Sequence, residues 1–371
     1  MKFEIKRDIL LKSLNFVQGV VEKKNTLPIL SNVLLDLKNN KLSIIATDLD
    51  IIFYDEISDV KILSEGNTTT SAAVLFDILR KITSNSNLKF DLKSENKLSL
   101  KSDNSDFNLL CLPSDNFPTF QLNEFNDSEI KINNKNFLKL LNKTKISISN
   151  DDTRHYLNGV FLHMTEANGR NFLTGVATDS HRLSSSSLEV DSINEFKSII
   201  LPRKTVFQLC TLLAETKDSL NMQSNENRIK FQIGKTKLIS KVIDGKFPNY
   251  AQVVPKNNKK KMEADLELFK SSVDRVASVS TDKKDGVKIK LSKDKLDLSV
   301  NNTHSGDGNE SVSVKFEHDL DITFNSKYLI DVASELEGEK IEIFFNDTAS
   351  PALIKDPSDF DSIFVIMPMK G

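Results

Sequence analysis

Residues 178–182, Thr178-Asp179-Ser180-His181-Arg182, gather a carboxylate, a hydroxyl, an imidazole and a guanidinium in five consecutive positions. Hydrolases build nucleophilic sites from these residue types. The spacing argues against that use, because the members of a Ser-His-Asp triad normally converge from separate elements. No Gly-x-Ser-x-Gly elbow accompanies the segment, and the chain carries no Walker A loop. Cys111 and Cys210 lie far apart without a Cys-x-x-Cys pair, so neither a zinc site nor a disulfide framework is indicated. The expectation is therefore a protein without catalytic residues, cofactor or metal. The segment itself suits either turn chemistry or the rim of a partner-binding surface. An enzyme built on His181 would instead show turnover that is lost in His181→Ala.

The same residue types recur. Ala46-Thr47-Asp48 ends one apolar strand pattern and Ala177-Thr178-Asp179 ends another, 131 positions later. Phe117-Pro118-Thr119-Phe120 and Phe247-Pro248-Asn249-Tyr250 close the two stretches at an offset of 130 (118 to 248). A fainter third copy keeps the strand rhythm from about position 256, with Asn302 standing where the earlier copies have Asp48 and Asp179. Units this long exceed the roughly 20–50 residues of solenoid repeats. They are domain-sized, and 371 residues hold about three domains. The expected boundaries are 1–125, 126–255 and 256–371.

Each unit opens with a short alternating strand followed by a segment with apolar residues at three and four, the amphipathic helix pattern. These helices are expected near Arg7, Lys135 and Leu266, and a second one per unit near Ala73, Pro202 and Lys327. Pro202 suits a first helical turn, where its missing N–H costs nothing. The rest alternates in short runs bounded by Asn, Asp, Gly and Ser, as in Asn40-Lys-Leu-Ser-Ile-Ile-Ala, which reads as antiparallel hairpins. The fold class is α+β, with two helices packed on antiparallel sheet in each of three similar domains.

With 50 basic and 52 acidic residues the net charge is −2, so bulk attraction to nucleic acid is not implied. Basic residues nevertheless collect on the helix patterns: Arg7, Lys12, Arg80 and Lys81 in the first unit, and Lys135, Lys139, Lys143, Lys145, Arg203 and Lys204 in the second. A shared basic surface accounts for that bias in two units. No apolar run approaches the roughly 20 residues that span a bilayer. The N-terminus is charged where a signal peptide would be apolar. A cytoplasmic protein with no membrane partner is expected.

Taken together, the repeats and motifs resemble the bacterial sliding clamp family, the beta subunit of DNA polymerase III. The matching segments are Met1-Lys-Phe, Thr26-Leu-Pro-Ile-Leu, Thr47-Asp-Leu, Arg154-His-Tyr-Leu-Asn-Gly, Val176-Ala-Thr-Asp-Ser-His-Arg-Leu, Pro202-Arg-Lys, Asp244-Gly-Lys-Phe-Pro-Asn-Tyr, Phe324-Asn and Val365-Ile-Met-Pro-Met-Lys. They run the length of the chain in the family's order. The resemblance implies a head-to-tail homodimer whose six domains form a ring, the DNA clamp fold. Helices line the hole and sheets form the outer wall. Such a ring would act as a processivity factor, sliding on duplex DNA while tethering the replicative polymerase, the clamp loader and other clamp-binding proteins. Basic inner helices would face phosphates, contacts that carry no sequence information.

Site residues follow by position from the resemblance. The peptide pocket would comprise Leu157, Thr178, Ser180, His181, Arg182, Leu183, Pro248, Val253, Asn325, Tyr328, Val365, Ile366, Met367, Pro368 and Met369. Met and Val would supply an adaptable apolar groove, with Asn325 and Arg182 fixing a peptide's polar groups. DNA contacts would come from Lys24, Arg80, Arg154, His155, Tyr156, Arg203 and Lys204. Phe107 and Leu109, on an expected edge strand, would meet Val279 of a second copy. Several positions depart from the family. Ser180 stands where a glycine is common, Gln252 where an arginine is common, and Lys284 where some members place an aromatic. Ala73 and Val74 replace residues that are often basic, so the subunit contact is expected to be more apolar. A tandem-domain scaffold with no DNA role is the alternative, and would not be retained on circular DNA.

Overall fold

The computed structural model describes residues 1–22, 26–118, 125, 129–191, 196–280 and 286–369. Six helices occur among them: α1 (Arg7–Val20), α2 (Ala72–Lys81), α3 (Asn134–Lys145), α4 (Arg203–Ala214), α5 (Leu266–Ala277) and α6 (Ser326–Glu335). They form where the apolar spacing dictates. α5, for example, buries Leu266, Phe269, Ser272, Val273 and Val276, a stripe at steps of three and four. Side-chain caps fix three starts, with Ser71, Asp265 and Asn325 accepting from the backbone N–H groups of Val74, Leu268 and Tyr328.

Triplication is visible element by element. Each repeat runs strand, helix, strands, helix, and then three more strands. The turn that ends the second long strand is built alike in the first two repeats. Thr47 Oγ1 donates to the Ile51 carbonyl (2.8 Å) and Thr178 Oγ1 to the Arg182 carbonyl (2.7 Å). Asp48 accepts from the N–H groups of Asp50 and Ile51, and Asp179 from those of His181 and Arg182. Leu49 and Ser180 take the matching positive φ, +79° and +76°. Asn302 repeats the carboxylate's role, accepting from His304 and Ser305. The recurring Asp or Asn is thus an Asx turn used three times.

The chain divides into two compact units. The first, Met1–Lys135 with Phe207–Val242, carries one thirteen-stranded antiparallel sheet. In it the last strand of the second repeat (Thr236–Lys241) pairs with Ile51–Ile57, the third long strand of the first repeat, in the register Lys237↔Tyr54 to Ser240↔Ile51. The second unit, Asn136–Val206 with Ile243–Gly371, carries an eight-stranded and a four-stranded sheet. There the last strand of the third repeat (Asp359–Ile366) pairs with the third long strand of the second (Arg182–Val190), from Arg182↔Ile366 to Ser186↔Ser362. The junctions obey one rule: the closing strand of each later repeat joins the third long strand of the repeat before it.

Two strands are left over by that rule. Gly306–Ser313, the third long strand of the last repeat, ends the four-stranded sheet with a single neighbour. Ser105–Leu112, the closing strand of the first repeat, pairs along its length with Lys97–Ser102 but meets Gly66–Ser71 only at Thr69↔Leu112 and Thr70↔Cys111. Its pleat corrects one expectation. Leu109 faces its own core and is 6% exposed, whereas Leu110 is 83% exposed, so Leu110 rather than Leu109 is the surface leucine. Phe107 is half-buried. Val279 lies over the other leftover strand, where a Cβ added to Gly308 would come within 2.8 Å of Val279 Cγ2.

Candidate functional site: an apolar patch rimmed by a charged turn

In the second unit a small apolar cluster joins Leu157, Val176, Leu183, Ile200, Phe247, Leu353 and Val365. Three of these, Leu157, Leu183 and Val365, were expected pocket residues. All three are buried and form a floor rather than an exposed wall, while Ile366, also buried, packs in the core of the third repeat. Met367, Met369, Val253 and Pro248, also expected pocket residues, are exposed. Exposed apolar side chains that adjoin each other mark interaction sites more often than scattered ones do.

The chain's last described residues build the rim by switching sheets. After Ile366 the Met367 N–H still donates to the His181 carbonyl (2.8 Å), continuing the pairing with Arg182–Val190. Pro368 then turns the chain, and the Met369 N–H donates to the Thr323 carbonyl (2.8 Å) in the neighbouring strand Leu320–Asn325. Met369 lies against Gly286, where an added Cβ would meet its sulfur at 3.2 Å. Both methionines are thereby held by backbone bonds while their flexible thioethers stay at the surface.

Residues 244–254 form the next wall. Phe247 stacks on Phe161 (centroids 4.8 Å apart), Phe161 stacks on His163 (4.7 Å), and His163 Nε2 lies 3.0 Å from the Tyr250 hydroxyl. Burial pushes the His163 pKa down, so the neutral ring is favoured in this stack. The Phe-Pro-Asn-Tyr motif therefore anchors by its first and last members and leaves Pro248 outside. Gly245 is required here. Its φ is +150°, and a Cβ would sit 3.1 Å from Tyr156 Cβ.

Arg182 departs from expectation. It is 9% exposed and already engaged: its Nε donates to Asp179 (3.0 Å), its Nη1 to Asp331 (2.7 Å), and its guanidinium stacks 4.2 Å above the Tyr328 ring. Asp331 also receives Lys327 (2.7 Å). Burial leads the forces that hold the Tyr328 hydroxyl above its ordinary pKa, and Asp179 adds to it. Arg182 is thus a strut that ties the 178–182 turn to α6, not a free ligand for a peptide. Asn325 keeps its cap role at the start of α6. Asp179 and Asp331, absent from the expected set, complete the strut. The recurrence of Asp48 at Asp179 was the signal available for the first of them.

Of the expected DNA residues, Lys24 lies outside the described residues, as does Lys284. Arg154, His155 and Tyr156 share the 3-10 turn Asp152–Leu157, which ends on the pocket floor at Leu157. His155 is exposed, its Nε2 3.1 Å from the Asp244 carbonyl, and Tyr156 packs on the floor cluster. Arg154 donates to Asp151 (Nε, 2.9 Å) and to Ser180 (Nη1, 2.6 Å), which places it at the pocket rim. Arg203 and Lys204 open α4. Cations gain nothing from the helix dipole at that end. Arg80, in the first unit, is exposed in the last turn of α2, 3.3 Å from Asp77 and 5.9 Å above the Phe76 ring.

Three other basic residues do not belong to an open surface. Arg7 caps α2 by donating to the carbonyls of Leu79 (2.7 Å) and Arg80 (3.1 Å). Lys143 is 1% exposed and paired with Asp359, and Lys139 reaches Glu337 (3.0 Å) and Asp359 (3.3 Å). No group of His, Cys, Asp and Glu suited to a metal occurs among the described residues. None of the described helices is long and apolar enough to cross a membrane.

Comparison with known proteins places the whole chain. Three family models match it in succession: the N-terminal domain of DNA polymerase III beta subunit over 1–121, the central domain over 131–249 and the C-terminal domain over 251–370. The beta sliding clamp of Caulobacter vibrioides is 36% identical over 373 residues, and that of Escherichia coli K12 is 33% identical over 372, each covering all of both chains. Among solved structures, a C. crescentus sliding clamp with polyethylene glycol bound superposes with a TM-score of 0.94 at 36% identity. That match covers 100% of this chain and 99% of the other. A Bartonella birtlesii clamp bound to griselimycin gives 0.95 at 34% identity, with both chains fully covered. Three clamp domains in one chain, matched from end to end in sequence and in fold, make this protein a member of the bacterial beta sliding clamps, the non-catalytic processivity subunit of DNA polymerase III.

Proposed function

We propose that two copies of this chain close head to tail into a six-domain ring that encircles duplex DNA and tethers the replicative polymerase, the clamp loader and other clamp-binding proteins. The three repeats, taken as domains 1–125, 126–255 and 256–371, each contribute to the ring, which works in the cytoplasm without turning over any substrate. The observation that carries this reading is the pair of leftover strands. Every internal junction joins a closing strand to the third long strand of the preceding repeat. Ser105–Leu112 and Gly306–Ser313 are the unmatched closing and third strands. Two copies satisfy both edges twice over, the closed symmetry expected of a ring. Leu110, Phe107 and the half-exposed Val74 would then meet the Val279 side of the partner.

A ring with such an apolar seam should be a dimer at micromolar concentration. Phe107→Asp or Leu110→Asp, each placing a charge at the seam, should give monomers by sedimentation. A monomeric wild type, or a dimer untouched by both changes, removes the proposed contact.

Encirclement makes a topological prediction. Arg80, Arg154, His155, Tyr156, Arg203 and Lys204 offer phosphate and sugar contacts without base reading, and Lys24 joins them by the resemblance. Binding to short linear duplex should be weak and fall steeply with salt. Protein loaded on a nicked circle should remain through gel filtration and be lost once the circle is linearised. Equal retention on both forms would overturn the ring.

A further inference from the structure

The pocket's two arginines are in opposite conditions. Arg182 is buried and saturated by Asp179, Asp331 and the Tyr328 face. Arg154 sits at the rim with its Nε on Asp151 and its Nη1 on Ser180 Oγ, and its Nη2 has no partner among the described residues. Lys327 is drawn off by Asp331. Arg154 is therefore the rim cation with donors to spare.

What holds it there is the Ser180 hydroxyl. Ser180 occupies a left-handed turn position (φ +76°) that ordinarily favours glycine. Glycine would be easier for the backbone but has no hydroxyl to accept from a guanidinium. The same turn is fixed by the Asp179 carboxylate and by the Met367 N–H on the His181 carbonyl. The Ser180 hydroxyl is thus an acceptor 2.6 Å from Nη1, on the same turn whose His181 carbonyl holds the Met367 N–H. Resting on the reading that this patch takes a short peptide, we propose that Ser180 positions Arg154 to bind a carboxylate side chain of that peptide. The pocket of this chain then selects acidic over amide residues at one polar position. A guanidinium fixed in advance loses little freedom on pairing, and charge-assisted bonds are the stronger kind.

The test uses the full-length dimer and fluorescently labelled peptides that share one hydrophobic end and carry Asp or Asn at each polar position in turn. In the wild type one position should favour Asp by roughly tenfold in Kd, the size of a hydrogen bond to a charged group. Ser180→Gly should cut that ratio to about twofold, because the unanchored guanidinium must be ordered on binding. Ser180→Asn, which tolerates positive φ and keeps a side-chain acceptor, should restore most of it. Arg154→Gln should abolish it. The ratio should also shrink with added salt. Undiminished selectivity in either Ser180→Gly or Arg154→Gln would overturn the assignment. So would an Arg154→Gln variant that loses retention on circular DNA while its Asp/Asn ratio stays at the wild-type value. The pocket reading itself fails in a separable way, if a protein lacking residues 367–371 binds every peptide as well as the wild type does.

Discussion

Removing residues 367–371 is expected to abolish peptide and polymerase binding while leaving a folded dimer. The deletion takes away Met367, Pro368 and Met369 with their backbone bonds to His181 and Thr323. It spares Val365 and Ile366, which complete the sheet pairing with Leu183 and Arg182. The rim goes and the floor stays. Anchors in desolvated pockets dominate small interfaces, so the loss should reach about 2 kcal/mol or more, roughly thirtyfold in Kd. The proposed dimer seam involves Phe107, Leu110 and Val279, none of which the deletion touches. Anisotropy with a labelled polar-then-hydrophobic peptide, run beside sedimentation, reads both halves. Unchanged affinity in a truncated dimer would show that the exposed methionines are not the anchor.

Local information was enough for the elements and for the repeat. The six helices were legible because each carries an apolar stripe at three and four, and the turns because Thr and Asp make the same bonds at 47–48 and 178–179. What sequence could not supply was the partner lying across each face. Lys135, Lys139 and Lys143 recur every four residues and so share one side of α3. From sequence that reads as an open basic stripe. Asp359 and Glu337, about two hundred positions away, cover part of it and turn Lys143 inward. The engagement of Arg182 is hidden from sequence for the same reason, since only Asp179 of its two carboxylates is close along the chain. Leu109 and Leu110 are adjacent leucines on opposite pleat faces, and an alternation argument cannot choose between them without knowing which face the core occupies. The pocket positions proposed above follow from the family resemblance. Their division into buried floor, exposed rim and charged strut was not legible in the sequence.

The covered end of α3 yields the other large effect. Lys143 is fully buried, its ammonium pairs with Asp359, and the Glu337 carboxylate lies farther off at 4.0 Å. Asp359→Asn should therefore strand a cation in the interior and destabilise the protein by about 3–5 kcal/mol. Lys143→Met should cost less, because Lys139 at 3.3 Å still faces the Asp359 carboxylate. Replacing both partners by apolar residues, Lys143→Met with Asp359→Leu, should recover much of the loss, since neither charge then needs solvation. Acid sensitivity supplies an independent reading. Burial alone would raise the Asp359 pKa, but the Lys143 hydrogen bond and charge, with Ser362 and Lys139, outweigh it and hold the carboxyl below its ordinary range. A carboxyl depressed in the folded state contributes stability that is complete above its unfolded pKa and is lost as pH falls through the folded value. Between neutral pH and about pH 3 the wild type should accordingly lose more of its denaturant midpoint than Asp359→Asn, and the two curves should converge toward acid. Parallel curves, separated by the same amount at every pH, would mean that the pair contributes through packing and not through charge.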